Sequence, residues 1–321
     1  MPALHPDAVQ LLDLMRAAGR PPFEELTPAE ARRAYLASRD ILQPPPPAVA
    51  ETRDLSIPGP AGEIRLRTYR GAGTAAGDVL PCLLFLHGGG WVIGDLDSHD
   101  GVCRRLANDA ACCVVAVDYR RAPEHRFPAG VEDAAASLAW TAAHAAELRI
   151  DPARIAVGGD SSGGNLAAVL GLMSRDGTLP RTVFQLLIYP AVDLTMTSES
   201  YERVTAGVPL TARTMRYFIE LYTPDPQQRT DWRASPLRAA SVAGAPPALV
   251  VTAAHDPLCD EGRAYAYRLE REGVRVTALH LGEHTHGVFT MGKVIGPTEL
   301  YTQFVGGAVR EALHGRSQQA A

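Results

Sequence analysis

Residues 155–165 read Ile155-Ala-Val-Gly-Gly-Asp160-Ser161-Ser162-Gly-Gly-Asn165. An apolar run that ends in glycines, presents a serine inside Gly159-x-Ser161-x-Gly163 and then turns helical is a strand–turn–helix. A serine at such a turn takes a strained backbone conformation and needs small neighbours at Gly159 and Gly163. In return its Oγ stands at the carboxyl edge of a sheet, beside the positive end of a helix. The rival reading, a glycine-rich turn that binds phosphate, fails on register: neither G-x-G-x-x-G nor G-x-x-x-x-G-K-[ST] fits here. Ser161 is therefore the candidate nucleophile.

Working outward, apolar strand-like runs alternate with helical patterns. The runs are Cys82–Leu86, Cys112–Val117, Ile155–Gly158, Phe184–Ile188, Leu249–Ala254 and Val274–Leu281. Helical stretches lie near Ser98–Ala110, Val131–Ala146, Gly164–Arg175, Asp260–Glu272 and Pro297–His314. Continuous apolar strands separated by helices predict an α/β fold, a mostly parallel sheet of about eight strands covered on both faces. Ala50–Ile57 and Glu63–Tyr69, flanking Pro58-Gly59-Pro60-Ala61-Gly62, read as a hairpin and add an antiparallel edge.

Two regions break the rhythm. Before the stiff Gln43-Pro-Pro-Pro-Pro-Ala48 linker lie two helical patterns. Asp7–Ala18 sets Val9, Leu12, Leu14 and Met15 near one face. Thr27–Ser38 opens on Thr27-Pro28-Ala29-Glu30, a capping box with proline at the first helical position. Some 60 residues also separate Tyr189 from Leu249, far more than a crossover needs, and Thr211–Tyr222 within them reads as a helix. The expected segments are 1–45 as an N-terminal helical part, 46–190 as the first part of the core, 191–235 as an insertion that either adds a core helix or covers a ligand site, and 236–321 as the second part of the core.

Leu83–Leu86 leads into His87-Gly88-Gly89-Gly90-Trp91. Three glycines let backbone N–H groups approach a ligand without Cβ interference. With the N–H of Ser162, Gly88, Gly89 and Gly90 would form a hole for the oxyanion of a tetrahedral intermediate. Serine needs a base, and the base an orienting acid. Asp256 ends the Leu249–Ala254 run, where site residues of an open α/β sheet are expected. Asp260 and Glu261 just after it read as N-cap and first-turn charge of a helix. After Val274–Leu281, two histidines compete. His286, followed by Gly287, is preferred as base, with His284 as the alternative. A metal on this His-x-His is disfavoured for want of a third ligand at useful spacing. Trp91, Asp160 and Tyr189, beside the glycine loop, the serine and a strand end, are expected to contact substrate.

Composition narrows the rest. The net charge of −5 gives no electrostatic pull toward nucleic acid or anionic lipid. The longest apolar runs are strand-sized, so no membrane span is expected, and no signal peptide is visible at Met1–Gly19. Five cysteines, Cys82, Cys103, Cys112, Cys113 and Cys259, form no C-x-x-C pair and read as buried thiols of a reducing, cytoplasmic setting. Lys293 is the one lysine among 31 basic side chains.

Five segments together resemble the hormone-sensitive-lipase-like family of α/β-hydrolases, the bacterial family IV carboxylesterases. They are His87–Trp91, Asp118-Tyr-Arg-Arg-Ala-Pro-Glu-His-Arg-Phe-Pro-Ala129, Gly159–Asn165, Asp256-Pro-Leu-Cys-Asp-Glu261 and His286-Gly287. The sequence departs from the usual family form at Arg121 (leucine nearby), at Ser162 (alanine) and at Val288, which precedes the expected phenylalanine. The resemblance implies hydrolysis of a small-molecule ester of short acyl chain by Ser161, Asp256 and His286, without cofactor or metal, under a helical cap. It leaves room for a homodimer. An amidase, peptidase or acyltransferase with the same triad stays open, as does a non-catalytic small-molecule receptor. The retention of serine, acid and histidine in order weighs against the receptor.

Overall fold

The computed structural model describes residues 2–315; residue 1 and residues 316–321, which fall within the expected end segments, lie outside the described residues. Two helices, α1 (Pro6–Ala18) and α2 (Pro28–Leu42), precede the hairpin of β1 (Glu51–Gly59) and β2 (Gly62–Arg70). There follow β3 (Leu80–Leu86), α3 (Asp100–Ala110), β4 (Cys113–Asp118), α4 (Ala129–Ala143), α5 (Ala145–Leu148), β5 (Ile150–Asp160) and α6 (Ser162–Arg175). Then come β6 (Phe184–Ile188), α7 (Ser200–Arg203), α8 (Ala212–Tyr222), β7 (Ala248–His255), α9 (Cys259–Arg271), β8 (Val276–Thr285) and α10 (Thr298–His314).

The eight strands form one sheet in the order β1-β2-β4-β3-β5-β6-β7-β8. β1–β2 and β2–β4 pair antiparallel and every other pair is parallel. The alternation along β3 explains the layers. Cys82, Leu84 and Leu86 enter the core shared with α4, α6 and α9, while Leu83 and Phe85 enter the core shared with α3 and α10. Every residue of β3 is buried, so its sequence reads as a continuous apolar run. No described helix is long and apolar enough to cross a membrane.

Three expectations need correction. The buried face of α1 is Ala8, Leu11 and Leu12, whereas Val9, Leu14 and Met15 are 42%, 48% and 43% exposed. Only one stripe of this short helix meets the body. β8 begins at Val276 and runs on through Thr285, so residues 282–285, expected as loop, are strand. A register shift after Ala253↔Leu281 brings Thr285 opposite His255. The helix expected over 131–146 ends at Ala143, where the His144 ring bonds back to the Trp140 carbonyl, and α5 follows as a separate turn.

The capping box at Thr27 and Glu30 is formed, and α2 continues past Ser38 to Leu42. The N-terminal segment packs on α8. Phe23 lies against Phe218, Thr214 Oγ1 donates to Glu24 Oε2 at 2.8 Å, and Tyr217 OH donates to the Leu26 carbonyl at 2.9 Å. Arg32 reaches the core segments, donating to the carbonyls of Val92 and Ala122, both at 2.8 Å, and to both oxygens of Glu124. Lys293 Nζ donates to the Asp40 carbonyl at 2.9 Å and fastens the end of α2 to the segment after β8.

Candidate active site

Ser161, Asp256 and His286 follow the carboxyl ends of β5, β7 and β8. Ser161 is the N-cap of α6, with φ 56° and ψ −118°, a left-handed conformation that costs a non-glycine residue about 1–3 kcal/mol. Its N–H donates to the Ile188 carbonyl at 2.8 Å, which holds the turn against β6. The turn admits no side chain at residue 163: a Cβ there would lie 1.9 Å from the Leu86 carbonyl oxygen.

Asp256 is fully buried. One carboxylate oxygen accepts the Leu258 N–H at 2.9 Å, and the other lies 2.7 Å from His286 Nδ1. Such a bond fixes the ring and leaves Nε2 as the free nitrogen. The Tyr189 ring packs on the His286 ring, centroids 4.3 Å apart. His284 is directed elsewhere. Its Nε2 is 2.9 Å from Tyr301 OH, its ring stacks on His5, and burial first and His5 second lower its pKa. The two imidazoles of His-x-His thus serve different partners and do not converge on a common point.

The glycine loop divides its amides. Gly88 N–H donates to Asp160 Oδ1 at 2.9 Å and is not free for a ligand, a correction to the expected set of three glycine donors. Among the described residues none accepts the N–H of Gly89, Gly90 or Ser162. Gly90 has φ 58°, and a Cβ on it would lie 2.4 Å from the Phe218 ring, so α8 presses directly on this loop. His87 beneath it stacks on Tyr119, whose OH donates to the His87 carbonyl at 2.7 Å, and burial pulls the His87 pKa down to about 4. That imidazole is neutral at neutral pH, and its Nδ1 donates to the Gly88 carbonyl at 2.9 Å.

Trp91 and Asp160, expected to contact substrate, have protein partners. Trp91 lies flat on Tyr222 of α8, and Asp160 serves Gly88 and His99. Glu261 lies in the first turn of α9, as expected, but not as a solvated charge. Its side chain is buried, and Oε1 accepts the N–H groups of Val192 at 2.7 Å and Asp193 at 3.2 Å. Its neighbour Asp260 does behave as a partly exposed first-turn charge, paired with Arg203 at 2.8 Å. Asn165, left without a role by the sequence, donates Nδ2 to the carbonyls of Ala191 and Ala234, both at 2.8 Å. It thereby ties the root of the long β6–β7 segment to the nucleophile helix.

Residues 83–290 match the family model described as the alpha/beta hydrolase fold. Carboxylic ester hydrolase LipN of Mycobacterium tuberculosis is 43% identical over 84% of this chain and 74% of its own length. Ethyl acetate hydrolase of Pseudomonas putida is 38% identical over 91% of this chain and 94% of its own. Among solved structures, an alpha/beta hydrolase enzyme from the metagenome of Lake Arreo, Spain, superposes with a TM-score of 0.92. It shares 42% identity and covers 96% of this chain and 98% of that one.

Proposed function

Because the chain belongs to the α/β-hydrolase family, in its hormone-sensitive-lipase-like branch of carboxylic ester hydrolases, we propose that it cleaves short-chain esters through an acyl-enzyme on Ser161. Ser161 Oγ attacks the ester carbonyl while His286 Nε2 takes its proton. The carbonyl oxygen, now negative, is held by the N–H groups of Gly89, Gly90 and Ser162. Collapse of the tetrahedral intermediate expels the alcohol, which receives the proton from His286. Water, deprotonated by the same nitrogen, adds to the acyl-enzyme, and a second collapse returns Ser161 and the free acid. Asp256 holds the ring and stabilises the imidazolium. Every step uses side chains of this chain, backbone amides and water.

The observation that carries this reading is the 2.7 Å bond between His286 Nδ1 and Asp256 Oδ2, formed at the same sheet edge as the strained turn of Ser161. Trp91, Asp160 and Tyr189 act as supports of the glycine loop and of His286. Within the described residues, 1–45 and 191–235 form a cap on a core of 46–190 and 236–321. The Phe218 ring against Gly90 and the Phe23 ring against Phe218 support a roof that shortens the acyl pocket. The name of the relative ethyl acetate hydrolase agrees with a small acyl group.

The test is turnover of nitrophenyl esters of rising acyl length, with matched amides beside them. Esters from acetyl to about hexanoyl should be cut fastest and the amides far more slowly. Ser161→Ala should lose on the order of 10⁶ in kcat. A variant that keeps more than a few per cent of activity would remove Ser161 from its role.

A further inference from the structure

A buried chain of hydrogen bonds runs behind the glycine loop, and the mechanism above leaves its outer member idle. Asp160 gives a carboxylate oxygen to the Gly88 N–H at 2.9 Å, and a Cβ on Gly88 would lie 2.3 Å from the other oxygen. Loop and carboxylate are in direct contact, so neither moves without the other. His99, the N-cap of α3 and 1% exposed, places Nε2 3.1 Å from Asp160 Oδ1 and 3.3 Å from Oδ2. Its Nδ1 is 3.0 Å from Ser98 Oγ. Ser98 is fixed in turn, since its N–H donates to Asp95 Oδ1 at 2.7 Å and its Oγ accepts the Asp95 N–H at 2.8 Å. The His99 ring is thus held at both nitrogens.

We propose that His99 is a positioning residue for ester cleavage: through Asp160 it pins the Gly88 peptide and so aims the Gly89 and Gly90 N–H groups at the developing oxyanion. The proposal rests on the acyl-enzyme reading above. The physical need is plain. Gly89 and Gly90, at φ 125° and 58°, sit on backbone with no side chain to brace it. Oxyanion donors stabilise a transition state only when their direction is set beforehand. Asp160 is the anchor and needs a partner of its own. Burial alone would raise its pKa, yet His99 and the Gly88 N–H outweigh burial and leave it lowered, a carboxylate held charged. A histidine at a helix N-cap looks solvated in sequence; here its Nε2 meets a carboxylate 61 positions along the chain.

Two variants of equal length separate the hydrogen bond from the packing. His99→Gln keeps an N–H for Asp160, and His99→Met does not. The expected result for His99→Met is a fall in kcat of about 10- to 100-fold, less than or near the loss of one oxyanion donor, with KM within about three-fold. A trifluoromethyl ketone should weaken in proportion, because the Ser161 Oγ–carbon bond it forms, with the proton passing to His286, leaves its oxygen in the same hole. His99→Gln should recover most of both. A His99→Met enzyme with wild-type kcat and ketone affinity, while Ser161→Ala is inactive, overturns the proposal and leaves the acyl-enzyme reading standing. An active Ser161→Ala removes that reading itself. Should His99→Met not fold, imidazole NMR of the wild type decides. The His99 Nε2–H resonance should shift with the trifluoromethyl ketone and not with the matched methyl ketone, and a resonance unmoved by both overturns the proposal.

Discussion

Trp91 and Tyr222 stack face to face, ring centroids 4.6 Å apart and planes 2° from parallel, with the Phe127 ring set edge-on to Tyr222 at 5.8 Å. One ring ends the glycine loop and the other ends α8, so the loop and the long β6–β7 segment share a wall. Tyr222→Ala should cost about 3 kcal/mol, from lost burial plus the stacking term. It should also reduce kcat, since the loop loses its flank. Denaturant unfolding and initial rates measure the two. A stable variant with unchanged kcat would show that the stack serves neither purpose.

The two histidines of the last strand and its following turn should separate cleanly. His286→Ala should approach the loss of the serine variant, because it removes the base. His284→Ala should keep turnover within about ten-fold, since its bonds run to Tyr301 and His5. Rates of one ester with both variants decide this, and a reversed order would transfer the base to His284.

Stability should depend on pH through Glu261. Burial raises its carboxyl well above the ordinary 4.5, against the pull of the Val192 and Asp193 N–H groups. The native state therefore keeps a proton that the unfolded chain releases. The stability from this group is full below the ordinary value and is lost as pH rises from there toward the raised native value. Glu261→Gln imitates the protonated form. Wild-type urea midpoints should fall more steeply than those of the variant between pH 5 and 8, and parallel curves would refute the assignment.

Native thiol labelling should leave activity intact. All five cysteines are buried and unpaired. Burial raises the Cys112 and Cys113 thiols, the latter to about 12, and pushes Cys259 up to about 11, so thiolate is scarce at pH 8. Five thiols should react only after denaturation. Rapid native loss of activity with one modified Cys259 would show instead that the acid loop opens.

Removal of residues 1–42 should change substrate preference more than intrinsic reactivity. It uncovers Phe218 and Thr214 of α8 and deletes the Arg32 bonds to Val92 and Ala122. Lower solubility and a shifted acyl-length profile are expected. A soluble truncated protein with an unchanged profile and thermal midpoint would identify the segment as a dispensable tail.

The strand ends at Ser161, Asp256 and His286 were legible because β5 and β7 are buried on both faces and announce themselves as apolar runs. β8 was legible over 276–281 but not in its extension over 282–285, where Gly282, Glu283 and His284 break the apolar run and read as a loop. The face of α1 was misjudged because Val9, Leu14 and Met15 stay outside, and no local pattern says which stripe of a peripheral helix will be covered. Glu261 and His99 were hidden for another reason. Acidic residues at a helix start and a histidine at an N-cap are ordinary surface chemistry, and only tertiary contact with Val192 or Asp160 makes them interior. The loss of Gly88 as a free donor is of the same kind, set by a carboxylate 72 positions away.

The bond from Lys293 to the Asp40 carbonyl involves the only side-chain amine in the sequence. Chemistry aimed at lysine therefore meets one address, the seam between α2 and the segment that follows His286. A dye or a solid support coupled there would orient every molecule alike. The amine is exposed while the seam is closed, so coupling needs no parting of the N-terminal helices from the body.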